Sequence, residues 1–488
     1  MQDREALPSE DPMDDADAAA SARIHAFGPD ALGDADAVEV AARIRRRDVS
    51  AREVVEAAIA RAGQVDPVLH GIVVDRFEAA LAEADAVLPE EAFAGVPTFV
   101  KDNRPFAGLP TGQGSEAMPS SPAPRHGPYM EQFLSAGFLC LGKSALPEFG
   151  LNASTEFEDD PPTRNPWNPA YSAGASSGGA AVLVASGVVP IAHGNDGGGS
   201  IRIPAAACGL VGLKPSRGRH RDSDVARAMP LNIISEGVLT RSVRDTAVFH
   251  AELEKAYRNP ALLPIGTVAG PGERRLRIGL AMDLVSVSPD TETRAAIEET
   301  ARRLERLGHR VEPIAAPFAQ HFEDDFLTYW GALAFAIRRT KDRGFDATKL
   351  GNLTRGLSRY FLRRCYKLPF VLRRMRHATE RYERLFDDLD LLLTPALAHT
   401  TPELGHLGAD LDAELLIERL RRYVAYTPVC NATGGPAIAL PVAATAAGLP
   451  LAAHFCAKTG DERTLLELAF ELEADRPWPR IQDAGSQA

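Results

Sequence analysis

Residues 195–204 read Asn-Asp-Gly-Gly-Gly-Ser-Ile-Arg-Ile-Pro, directly after the apolar run Val-Val-Pro-Ile-Ala-His-Gly at 188–194. An apolar run that enters three glycines and a serine describes a strand ending in a loop where backbone can approach a ligand closely. Consecutive N–H groups on such a loop can converge on one oxygen and hold it as it becomes anionic when a carbonyl is attacked. Each well-aimed donor of this kind is worth roughly 3 kcal/mol in the transition state. Gly197, Gly198 and Gly199 are therefore candidate oxyanion-hole residues, and Ser200 beside them a candidate nucleophile. Taken alone the same letters also describe a plain glycine turn, so the reading depends on what else the chain supplies.

A serine hydroxyl is unreactive at neutral pH without a proton acceptor, and no histidine stands in an arrangement that provides one. A neutral lysine can serve. Its reference pKa is near 10.4, and desolvation lowers it by roughly 3 to 5 units in a closed site. The run Phe93-Ala-Gly-Val-Pro-Thr-Phe-Val-Lys-Asp-Asn103 is β-branched and aromatic and turns polar at its end, which predicts a strand delivering Lys101 to a sheet edge.

Two other motifs lose to their contexts. Gly137-Phe-Leu-Cys-Leu-Gly-Lys-Ser144 fits the phosphate-loop pattern, yet its middle residues form a strand and Pro147 blocks the helix that must follow. Gly174-Ala-Ser-Ser-Gly178 fits the nucleophile elbow of α/β-hydrolases, with Ser176 as nucleophile of an esterase-like enzyme. Upstream, however, Arg-Asn-Pro-Trp-Asn-Pro-Ala-Tyr-Ser-Ala (164–173) is too rich in Pro and Asn for the apolar strand an elbow needs, and His454 lies in an apolar strand pattern that suits a core position.

The 488 residues are 45% hydrophobic and 25% charged, with 66 acidic against 54 basic side chains and a net charge of −12. These values fit a folded protein with a large core and argue against nonspecific nucleic-acid binding. Residues 1–28 form an acidic, flexible tail; 29–480 read as a single domain, with its signature core at about 95–250 and a helical substrate-side insertion at about 317–390; 481–488 are a C-terminal tail. Residues 35–85 read as two helices, the first from Val38 to Ala62 with Ser50 and Glu53 as a capping box, the second starting at Arg76. Strand-like 138–143 and the strand-then-helix pattern at 276–308 add an alternating α/β arrangement. From 355 to 376 arginines alternate with aromatics, read as a solvated basic face over an aromatic core stripe, interrupted by Pro369, rather than a membrane-lying segment. Five widely spaced cysteines carry no zinc pattern, and no signal peptide or membrane-spanning run is present, so the expectation is a reduced cytoplasmic protein without integral membrane association.

Together VKDN (100–103), GKSALPEFG (142–150), RNPWNP (164–169), GASSGGA (174–180), DGGGSIRIPAAACGLVGLKPSRGR (196–219) and GVLTRSVRD (237–245) resemble the amidase signature family, in order and spacing, over about residues 35–480. The resemblance implies an α/β fold with a central mixed β-sheet covered by helices on both faces. It also implies a Ser-cisSer-Lys triad in which Lys101 is the base, Ser176 the bridging serine on a cis peptide bond and Ser200 the nucleophile. Ser177 would support Lys101, Asp196 and Arg202 would brace the glycine loop, and Gly150 and Asn152 would contact substrate, with Phe326, Tyr329 or Trp330 as lid aromatics. The reaction implied is hydrolysis of a small-molecule amide through an acyl-enzyme, with no metal or organic cofactor, in a chain compatible with a homodimer. The DGGGS form and Pro-Val-Cys-Asn-Ala-Thr-Gly-Gly-Pro (428–436) are similar to the subgroup of 6-aminohexanoate-cyclic-dimer hydrolases and broad amidases. The alternative within the family is a glutamine-dependent amidotransferase A-type subunit that needs partners.

Overall fold

The computed structural model describes residues 23–483 apart from 88–89, 285, 317–320 and 342–343. Strands β1 (Ile72–Asp75), β2 (Pro97–Lys101) and β3 (Leu139–Ser144) form a small sheet in the order β1-β3-β2. Strands β4 (Ile191–Asp196), β5 (Val211–Lys214), β6 (Ser235–Thr240), β7 (Arg277–Leu280), β8 (Arg310–Pro313), β9 (Leu391–Pro395), β10 (Ala437–Ala444) and β11 (Pro450–Ala457) form a large one, ordered β4-β6-β5-β10-β11-β9-β7-β8. The large sheet is mixed: antiparallel from β4 to β9, then parallel from β9 through β7 to β8.

Both faces of the large sheet's central strands are buried, so β9, β10 and β11 are near-continuous apolar runs rather than alternating ones. Along β10 and β11, Ile438, Leu440, Ala453 and Phe455 join one core cluster, with the helices Thr291–Arg306 and Glu462–Asp475 packed over it. Ala439 and Ala452 join another, shared with the buried helix Gly178–Ala185 and the amphipathic Ala51–Leu69. This is the α/β architecture with helices on both faces that the sequence predicts.

Several local expectations change. The helix expected from Val38 to Ala62 is two helices, Ala37–Arg46 and Ala51–Leu69. Arg47, left-handed at φ 62°, closes the first, and the Ser50–Glu53 capping box opens the second. The short β-branched segment after it becomes β1, which pairs antiparallel with β3. Pro369 does not interrupt a helix; it sits in the first turn of Leu368–Leu385, where its missing N–H costs nothing. The aromatic stripe there is only partly core: Phe361 is buried, whereas Tyr366 is 70% and Phe370 64% exposed. The first 22 residues of the acidic tail lie outside the described residues, but 23–28, assigned to that tail, are held down: Ile24 N–H donates to Pro166 O and Ala26 N–H to Ser186 O, each at 2.8 Å. Ile481, placed in the C-terminal tail, is buried beside Trp167 and Leu449, while 484–488 lie outside the described residues. No helix among the described residues is long and apolar enough to cross a membrane.

The helix Gly178–Ala185 follows directly after Ser176 and Ser177, so its seating fixes them. A Cβ on Gly179 would lie 2.3 Å from Ala145 N and 2.5 Å from Gly71 O. Gly179→Ala is expected to cost about 1–3 kcal/mol through overpacking. Gly63, whose Cβ would meet nothing within 4 Å, is the control. In denaturant titrations the first variant should lower the unfolding midpoint, while Gly63→Ala should leave it unchanged or raise it.

Candidate active site

The glycine loop and the lysine strand meet because β2 and β4 run side by side. Thr98 Oγ1 donates to Ile191 O at 3.0 Å, and Lys101 N–H donates to His193 Nδ1 at 3.2 Å. Lys101 closes β2 with no exposure to solvent. Its Nζ lies 2.8 Å from Ser176 Oγ, 2.9 Å from Ser177 Oγ, 3.0 Å from Asn195 Oδ1 and 3.3 Å from Asn195 O. The Ala175–Ser176 peptide bond is cis. Ser177 N–H donates to Ser200 O at 3.2 Å, which brings the Ser200 loop to the same point. Lys101, Ser176, Ser177 and Ser200, spread over a hundred residues of sequence, thus gather at one place.

The loop itself is built around a buried ion pair. Arg202 donates through Nε to Asp196 Oδ2 and through Nη2 to Asp196 Oδ1, both at 2.9 Å. The same carboxylate accepts from Gly199 N–H at 2.8 Å and Ile201 N–H at 3.1 Å. Gly199, expected in the oxyanion hole, therefore has its N–H engaged by Asp196 instead, because the carboxylate closes the turn from inside. Gly199 takes φ +132°, and a Cβ there would stand 2.3 Å from Thr427 Oγ1, so only glycine fits. Thr427 Oγ1 donates to Gly198 O at 2.7 Å, and Asn431 Nδ2 donates to Asp196 O at 2.9 Å. Thr427 and Asn431 were not singled out from sequence, although Asn431 stands in the Pro-Val-Cys-Asn segment that carried the resemblance.

Electrostatics distinguish the groups. Burial, and then the Arg104 guanidinium, push the Lys101 amine well below the ordinary lysine range, while Glu236 and Asp196 pull the other way. Burial raises Asp196, but Arg202 outweighs it and holds that carboxyl well below the usual range. Behind Lys101 stands a second network missed from sequence. Arg104 Nε donates to Glu236 Oε1 at 2.7 Å, and His193 Nε2 lies 3.1 Å from Glu236 Oε2. Burial pushes the Glu236 carboxyl up, yet Arg104 and His193 hold it down at about 2.

A cavity of about 110 Å³ opens onto Ser200 and Gly198. Gly150 and Asn152 line it, together with Phe326 and Trp330 from the helix Phe322–Arg338. These two rings stack at a 5.8 Å centroid distance, and both lie 3.7–3.8 Å from where a Cβ on Gly198 would be. Tyr329 does not line the cavity: it is buried against Leu231 and Ile233 and donates to Leu231 O at 2.6 Å. Glu323 and Arg421, also at the cavity, pair with each other at 3.3 Å.

The rejected motifs are accounted for. The phosphate-loop lysine, Lys143, is buried in β3 and pairs with Asp102 at 2.8 Å. Residues 164–173 form loop and isolated bridges rather than a strand, and Ser176 faces an amine, so the elbow reading lacks both its strand and its imidazole. His454 is a core residue, its Nε2 2.9 Å from Arg202 Nη1 and its Nδ1 2.9 Å from Thr394 Oγ1. Folding nevertheless gathers Cys430, His454 and Cys456, with ligand atoms all within 4.8 Å. With both imidazole nitrogens engaged and Arg202 alongside, the cluster suits packing better than a cation.

Comparison with known proteins gives one answer. Residues 53–466 match the family described as Amidase. The chain is 48% identical over 465 residues to a putative amidase, AmiC, of Mycobacterium leprae (strain TN), covering 94% of this chain and 99% of that protein. It is 34% identical over 485 residues to a 6-aminohexanoate-cyclic-dimer hydrolase of Pseudomonas sp. (strain NK87), covering 91% of this chain and 95% of that one. A solved structure of a 6-aminohexanoate cyclic dimer hydrolase complexed with substrate superposes with a TM-score of 0.81 at 30% identity, over 92% of this chain and 98% of that one.

The Glu236 carboxyl sits below its ordinary value of 4.5, so its contribution is fully present above that pH and is lost as pH falls toward about 2. The difference amounts to roughly 3 kcal/mol. Stability measured by denaturant against pH should fall across this window in the wild type. Glu236→Gln, which strands Arg104, should be less stable by about 3–5 kcal/mol at neutral pH and show a correspondingly flatter slope below pH 4.5.

Proposed function

The chain belongs to the amidase signature family and is an amidase, a hydrolase of carboxamide C–N bonds, and on that premise we propose that it works alone, through a serine acyl-enzyme. Ser200 Oγ attacks the amide carbon while its proton passes to Ser176 Oγ, whose own proton passes to the neutral Lys101 Nζ. The carbonyl oxygen becomes anionic beside the N–H groups of Gly197, Gly198 and Ser200, which stabilise it in place of water. The lysine ammonium then returns a proton through Ser176 to the leaving nitrogen, the C–N bond breaks, and the amine departs. Water attacks the resulting ester with the same relay acting as base, which releases the carboxylic acid and frees Ser200. All bonds and protons balance within these residues, the amide and one water.

The observation that carries this reading is the 2.8 Å contact between the buried Lys101 Nζ and Ser176 Oγ, in a setting that disfavours the charged amine. Ser176 is the link: it lets an amine buried in the sheet act on a hydroxyl in the glycine loop. For the substrate, the apolar, aromatic cavity supports an uncharged aliphatic or aryl amide, and a 6-aminohexanoate-type linear or cyclic amide is the specific case suggested by the 34% identical relative. The paired Glu323 and Arg421 offer a free amino acid such as glutamine no unmatched charge, which favours a self-sufficient hydrolase over an amidotransferase subunit.

Purified protein should release amine or ammonia from simple aliphatic and aryl amides without ATP. Ser200→Ala should reduce turnover to background, and Lys101→Ala should lower kcat/KM by roughly 10²–10⁴ at neutral pH. A fluorophosphonate should label Ser200 in the isolated chain. Label found on Ser176 would restore the elbow mechanism, and label that appears only after a partner is added would make the chain a partner-dependent subunit.

A further inference from the structure

The partners of Lys101 Nζ share one property: Ser176 Oγ, Ser177 Oγ, Asn195 Oδ1 and Asn195 O are all uncharged. The carboxylates nearby are already matched. Asp196 pairs with Arg202, Glu236 with Arg104 and His193, and Asp102, the residue after Lys101, with Lys143. Among the described residues, no nearby carboxylate is therefore left over to serve the amine as counter-ion. Asn195 stands at the position where a carboxylate would do so, 3.0 Å from Nζ and 5% exposed.

An amide side chain has two faces of opposite character, and only its oxygen suits an N–H of the amine. A second amide opposes turning over Asn195 by itself. Asn195 Nδ2 donates to Asn103 Oδ1 at 2.8 Å, and Asn103 Nδ2 donates to Asn195 Oδ1 at 3.2 Å. If Asn195 were turned over, both bonds would be lost and an NH₂ would point at Nζ. The register supports the pair from behind: Asn195 on β4 stands opposite Glu236 on β6, and Asn103 lies two residues past the end of β2.

We propose that Asn103 and Asn195 are positioning residues whose reciprocal amide pair turns Asn195 Oδ1 toward Lys101 Nζ and holds the amine in a ring of uncharged acceptors. This rests on the reading of Lys101 as the base. A neutral amine carries two N–H donors and one lone pair. One donor matches Ser177 Oγ and the other Asn195 Oδ1, with Asn195 O a longer alternative at 3.3 Å, and the lone pair is left to accept from Ser176 O–H. An ammonium in the same ring would have its donors satisfied but its charge unmatched.

The test is the acid limb of the kcat/KM against pH profile. Asn195→Asp puts a carboxylate against Nζ, which favours the ammonium, so the limb should move to higher pH by roughly 1 to 3 pH units. Activity should then be depressed at neutral pH and regained in alkali. Asn103→Asp, at the more accessible member, should move the limb the same way by less, and Asn195→Thr, a neutral acceptor, should leave its position unchanged whatever happens to kcat. Folding is checked by circular dichroism and thermal unfolding, and if Asn195→Asp does not fold, Asn103→Asp alone decides. An acid limb unmoved in the folded Asp variants, with Lys101→Ala inactive, overturns the amide pair and leaves the base intact. Wild-type kinetics in Lys101→Ala would overturn the base itself.

Discussion

A lysine side chain enclosed entirely in protein is the constraint around which this molecule is arranged. Leaving an ammonium at such a depth without a counter-ion costs several kcal/mol, so the enclosure disfavours the charged amine. The sheet makes that enclosure possible. β2 ends at Lys101 against β4, and the buried helix that begins at Gly178 closes the other side. A surface lysine would keep its charge and could not act as a base at neutral pH.

A second constraint lies a few residues away. The carboxylate of Asp196 organises its own loop, accepting from Gly199, Ile201 and Arg202, while Asn431 and Thr427 reach across from the C-terminal part of the chain to the same turn. Every carboxylate close to Lys101 has its own cation, so the polar interior is crowded yet locally neutral. Hydrogen bonds from so many directions leave the loop few alternative shapes.

The sheet, its helices and the residues that gather at the candidate site were legible because each follows from a short local pattern: an apolar run with a polar end for Lys101, three glycines before Ser200, a capping box at Ser50. What was not legible depends on contacts between distant segments. The bonds from Thr427 and Asn431 span more than two hundred residues. The Arg104–Glu236–His193 network joins three strands or strand ends with no spacing of their own. The same limit explains Gly199 and Tyr329: the letters show a glycine and an aromatic in the right neighbourhood, but not which way the N–H or the ring points. β1 was missed because four residues between two strong helices look like a linker until β3 offers them a partner.

The placement of Phe326 and Trp330 separates two tasks within one chain. Lys101, Ser176 and Ser200 sit at strand ends and beside a helix buried in the core, where a change of shape would disturb the whole sheet. The cavity walls come from several segments, chiefly Phe322, Glu323, Phe326, Leu327 and Trp330 of Phe322–Arg338, more than a hundred residues downstream of the glycine loop, and a second group from Ile417 to Pro428. Descendants of such a protein can therefore reshape the cavity through these downstream segments while inheriting the strands and the glycine loop untouched.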